Sequence, residues 1–127
     1  MRYIQLLCIV SLLPVLFGCG NKTPSYVSTN NPVVVGGKAI VDWPTTKSSS
    51  LFSDYSSYRR FVETTNTDEA IQIQENNTVE LPNGTELSVI SYQPGQDAED
   101  GAYEVRVLDG DYKDRTGWIF KNVISGK

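Results

Sequence analysis

From Thr78 onward every run able to form a strand is soon stopped by a turn signal, and that punctuation limits the chain to short antiparallel strands. Pro82-Asn83-Gly84 follows the run Thr78–Leu81, Pro94-Gly95 ends the run Glu86–Gln93, and Asp109-Gly110 follows Tyr103–Val107. Pro, Gly and Asn suit these positions because they preset or tolerate the dihedrals that turns need. Within the third run the alternation is strict: Tyr103, Val105 and Val107 share one face, Glu104 and Arg106 the other. That period of two marks a half-buried strand. A last strand is expected at Thr116–Phe120, around Gly117-Trp118. The expected class is mainly β, a small barrel.

Upstream the pattern changes. Lys38 to Trp43 is the first strand candidate, closed by Pro44, which cannot continue a ladder. The run Val33-Val34-Val35 is an alternative start. Thr45 to Ser50 reads as a Ser/Thr-rich loop. Ser53 then offers an N-cap to a short helix, with Asp54 in its first turn. Tyr55, Tyr58, Phe61 and Val62 fall at helical spacing, as a core-facing stripe. A second helix is expected from Thr67 to about Glu75, with Ala70, Ile71 and Gln74 inward. Residues 38–127 are thus expected to form one domain, with a helical insert over about 53–76.

The N-terminus carries a different signal. Arg2 precedes a 14-residue apolar stretch, Ile4 to Phe17, broken by Gln5, Ser11 and Pro14. A spanning helix needs about 20 apolar residues, so this stretch is short for a permanent anchor and has the parts of an export leader. It ends Leu16-Phe17-Gly18-Cys19, which resembles the lipobox of bacterial lipoproteins. That resemblance implies a signal peptide over 1–18, cleavage before Cys19, and lipidation of the Cys19 thiol with palmitate-type chains. Two or three chains would anchor firmly, since each buried methylene contributes about 0.8 kcal/mol. Gly20 after the cysteine implies the outer membrane in a Gram-negative host. Residues 19–37, rich in Asn, Ser, Thr, Pro and Gly, read as a flexible tether with a reach of roughly 25 Å.

Composition removes several function classes. The chain has no histidine, and its two cysteines are Cys8, inside the leader, and Cys19. A mature, acylated chain therefore has neither imidazole nor free thiol, which excludes Ser-His-Asp and Cys-His nucleophiles and His- or Cys-ligated zinc. A net charge of −4, from 11 basic and 15 acidic residues, argues against nucleic acid and against electrostatic docking on anionic lipid. Asp97, Glu99 and Asp100 form one acidic loop and Asp109, Asp111 and Asp114 another; neither has the ligand order of an EF-hand, and both read as solvated turns. The sequons at Asn21, Asn76 and Asn83 read as coincidental. No cofactor, metal or enzymatic activity is expected.

The stretch from Val79 to Ile124 resembles bacterial SH3-like domains. The resemblance is carried by Leu81-Pro82-Asn83-Gly84-Thr85, by a strand through Leu87, Val89 and Ile90, by Tyr103 to Gly110, and by the closing Thr116-Gly117-Trp118-Ile119-Phe120. It implies a small barrel, completed by a strand near Ile40 and interrupted by the helical insert, that binds and does not catalyse. The candidate partner-binding residues are Tyr103, Tyr112 and Trp118, as an aromatic platform rimmed by Arg106 and Arg115. The leading expectation is a membrane-anchored envelope lipoprotein presenting this module to an envelope protein or peptidoglycan. The alternative is a surface lipoprotein that protects against phage or a lytic enzyme. A third reading, an enzyme using carboxylates alone, would rest on Asp100 and Asp111.

Overall fold

The computed structural model describes residues 27–96 and 100–127. Cys19, the leader, and the acidic residues Asp97 and Glu99 lie outside the described residues.

Seven strands, β1 (Lys38–Val41), β2 (Ser48–Phe52), β3 (Thr78–Pro82), β4 (Glu86–Gln93), β5 (Ala102–Val107), β6 (Thr116–Phe120) and β7 (Ile124–Gly126), form one sheet. Two helices, α1 (Tyr55–Glu63) and α2 (Thr67–Asn77), connect β2 to β3, and a single 3-10 turn (Lys121–Val123) connects β6 to β7. All pairings are antiparallel, in the order β3-β2-β6-β5-β4-β1-β7. The sheet does not close into the expected barrel. The outer edge of β7 bridges Asn31 instead of meeting β3, and β2 meets β6 at one residue pair only, Phe52 with Trp118.

Register assigns the faces. Leu87 opposes Val107, Val89 opposes Val105, and Tyr103 opposes Ile119. These positions join Ala39, Val41, Leu51, Leu81 and Ile124 in a buried aliphatic core. Each fully buried Val, Leu or Ile among them contributes about 1.5–3 kcal/mol by leaving water. On the opposite face, Ala102 opposes Phe120, and Trp118 lies between Glu104 and Phe52. There the helices close a second, aromatic cluster of Phe52, Tyr58, Ile73 and Ala102, flanked by Tyr55, Phe61, Trp118 and Phe120.

The expected loop over 45–50 is in part β2. Ser48, Ser49 and Ser50 carry no strand pattern of their own and are held by pairing with Pro82, Leu81 and Glu80. The cap of α1 is Asp54, not Ser53: its Oδ1 accepts from the Ser57 N–H at 2.7 Å. Of the expected stripe, Tyr58 is buried and Tyr55 and Phe61 are half-buried, but Val62 is 39% exposed. Helix α2 starts where expected, with Asn66 capping Glu69 N–H at 3.1 Å. Its inner face is turned from the expected one, since Ile73 is buried while Ile71 is 47% exposed. The strand through Leu87, Val89 and Ile90 contains a bulge at Ile90, between the pairs Val89–Val105 and Ser91–Glu104. The bulge leaves Ile90 40% exposed and shifts the parity, so that Tyr92 returns to the face of Val89 and opposes Tyr103.

Part of the stretch read as a tether is fastened to the sheet. Ser28 Oγ donates to Asp42 Oδ2 (2.6 Å), Thr29 Oγ1 donates to the Gly126 carbonyl (2.6 Å), and Gly36 N–H donates to the Val89 carbonyl (2.8 Å). The rest of that stretch, residues 19–26, lies outside the described residues.

Candidate binding site

The sheet's aromatic face opens into a cleft where α1 meets the β4–β5 connection. Tyr55, Tyr58, Arg59 and Val62 form one wall, and Pro94, Gln96 and Asp100 the other, enclosing about 290 Å³. Helical spacing puts Tyr55, Tyr58, Arg59 and Val62 on this side of α1. Tyr55 stacks on Tyr58 with ring centroids 5.8 Å apart and tilts against Trp118 at 4.9 Å. The Arg59 guanidinium lies 5.9 Å from the Tyr55 ring centre and pairs with Glu63 one turn on. Tyr58 crosses beneath and donates its hydroxyl to the Asp100 carbonyl at 2.7 Å. Burial, and after it the negative charge of Asp100, pushes the Tyr58 phenol up to about 12, so it remains a neutral donor. A half-exposed tyrosine ring beside an arginine suits the recognition of a protein or peptide surface.

The three residues expected to form one platform are not brought together. Tyr103 is on the aliphatic face, with its ring 4.8 Å from that of Tyr92, and burial raises its pKa. Trp118 is on the opposite face, against Tyr55. Tyr112 packs at the rim of the aliphatic core beneath Arg115, whose guanidinium is 5.2 Å from its ring centre. None of the three lines the cleft; Trp118 touches its wall residue Tyr55. Arg106 is exposed and opposes Ser88 and Thr116. Asp109 is a structural acceptor, taking the Glu86 N–H at 3.0 Å. Asp111 and Asp114 are exposed turn residues. Among the described residues no group of three acidic, histidine or cysteine side chains is placed to hold a metal ion.

Sequence reasoning missed Trp43 and Asn83. Trp43 sits past the end of β1, 37% exposed. Its N–H donates to Asn83 Oδ1 (2.9 Å), and Asn83 Nδ2 donates to the carbonyls of Trp43 (3.1 Å) and Thr46 (2.7 Å). The turn motif containing Asn83 was a visible signal, but nothing in the sequence says that its amide reaches back 40 residues to fix a tryptophan.

No family model matches the chain, and neither a curated protein nor a solved structure matches it.

Proposed function

We propose that this chain is a lipid-anchored bacterial envelope protein, held by acyl chains on Cys19, that presents an SH3-like binding module to an envelope partner. The observation that carries the binding half is the Tyr55–Arg59–Val62 cleft, a surface of aromatic, cationic and apolar groups with a firmly hydrogen-bonded floor. The succession β7-β1-β4-β5-β6, with a 3-10 turn between β6 and β7 and Gly117-Trp118 in β6, supports the SH3-like reading. On that reading, β2, α1, α2 and β3 are an insertion between the first two barrel strands, and the insertion supplies one wall of the cleft. The anchoring half rests on the leader and on Leu16-Phe17-Gly18-Cys19. Growth with a clickable fatty acid tests it: the wild-type chain takes up label and Cys19→Ser does not. An unlabelled wild-type chain would refute the anchor.

A further inference from the structure

A second depression opens on the aromatic face of the sheet, away from α1's outer wall, and its chemistry differs from that of the cleft. Its volume is about 360 Å³, within the range of small-ligand sites. Trp43, Phe61 and Phe120 give it aromatic surface, while Ser48, Ser50, Gln74 and Glu80 ring it with hydrogen-bonding groups. Glu80 is held in place: its Oε1 accepts from Ser48 Oγ (2.9 Å) and its Oε2 from Ser50 Oγ (2.5 Å). Each carboxylate oxygen keeps a further lone pair, and each serine hydroxyl remains an acceptor. The indole N–H of Trp43 and the side-chain amide of Gln74 have no hydrogen-bond partner among the described residues.

The turn that carries Trp43 is held in place. Three bonds to the Asn83 side chain fix it, and Thr46 N–H donates to the Trp43 carbonyl at 3.0 Å. Ordering a loop on binding costs affinity, so a half-exposed aromatic ring on a fixed turn is already arranged for a ligand. The main-chain groups of β2 and β3 pair with each other from Ser48–Pro82 to Phe52–Thr78, which fixes the spacing of Ser48, Ser50 and Glu80. Among the described residues that line the groove the one charged side chain is Glu80, which disfavours an anionic ligand.

We infer that this groove binds an uncharged oligosaccharide bearing acetamido groups. Sugar rings have apolar C–H faces that lie on aromatic rings and hydroxyl edges that bond a fixed carboxylate. The Gln74 amide matches an acetamido group donor to acceptor. The inference deepens the envelope-binding reading by naming a glycan as ligand, and it rests on that reading for its biological setting. It does not use the anchor or the α1 cleft.

Calorimetric titration of the full-length chain in detergent with chitotetraose, and with cellotetraose as the sugar lacking acetamido groups, tests it. Chitotetraose should bind saturably, and cellotetraose more weakly. Trp43→Ala should weaken chitotetraose by about tenfold, the scale of a lost aromatic contact. The near-isosteric Glu80→Gln should also weaken it, and Gln74→Ala should abolish the preference for chitotetraose. Ile90→Thr, at the exposed bulge of β4, should change nothing. No binding of chitotetraose, or equal binding by Trp43→Ala and Glu80→Gln, overturns the inference. A missing glycan signal beside a labelled Cys19 would remove this groove and leave the anchored module standing.

Discussion

On one face of the sheet Val89, Val105, Val107 and Ile119 pack among other aliphatic side chains; on the other, Phe52, Trp118 and Phe120 pack under helices with Tyr58 and Phe61. The aliphatic face is built largely by strands that pair with neighbours along several residues. The aromatic face depends on β2, α1, α2 and β3, and β2 pairs with β6 through the single pair Phe52–Trp118. Aliphatic side chains carry no polar tip, so a face made of them can only be sealed. Tyr and Trp join an apolar body to a polar end, so a cluster of them can be core at its centre and binding surface at its rim. The cleft beside Tyr55 and the groove beside Phe61 and Phe120 both lie along that rim.

The largest expected effect comes from Phe52→Ala. Phe52 is fully buried and contacts the rings of Tyr58, Phe61 and Phe120, and the loss should be about 3–5 kcal/mol. Hydrogen exchange should show α1 and α2 losing protection while β4 and β5 keep more of theirs. Equal loss in both would break the distinction between the faces. Next is Gly117→Ala: a methyl there would press on the Phe52 carbonyl oxygen and sit about 2.8 Å from Leu51 Cγ. It should cost about 1–3 kcal/mol and separate β2 from β6, read as lower thermal stability with loss of aromatic circular dichroism.

Smaller effects concern α1. Asp54→Ala should cost about 1 kcal/mol in chemical denaturation, through the lost cap. The bond from Ser57 N–H holds the Asp54 carboxyl below its usual pKa of 3.8. Its contribution is therefore present above the unfolded pKa and lost as pH falls through the folded one. Tyr58 works in the opposite direction. Its folded pKa is raised from 10.0 to about 12, so its contribution is complete below pH 10.0 and is lost as pH rises toward about 12. Tyr58→Phe should remove that alkaline loss and cost about 0.5–1.5 kcal/mol at neutral pH through the broken bond to Asp100. The smallest effect is Ile90→Thr at the exposed bulge, within about 0.5 kcal/mol by denaturant titration.

Strict alternation made β5 legible, and Thr116–Phe120 matched β6 end to end. Helix α1 was legible from its spacing, and the start of α2 from Thr67 with its following acids. Strand β2 was not, because three serines have no face until β3 supplies one. The expected platform residues are divided for a related reason: Tyr103 opposes Ile119 and Glu104 opposes Trp118, a difference of one residue in parity. A one-residue offset in pairing moves a side chain to the other side of a sheet, and no single strand's sequence states its register.

The most direct test of a membrane-held binding module is a photo-crosslinking residue placed at Val62 in living cells, with Ile90 as the control position. The account predicts a discrete adduct with one envelope partner from Val62, absent at Ile90 and lost in Cys19→Ser. No adduct at Val62, or the same adduct at both positions and without the cysteine, would contradict it.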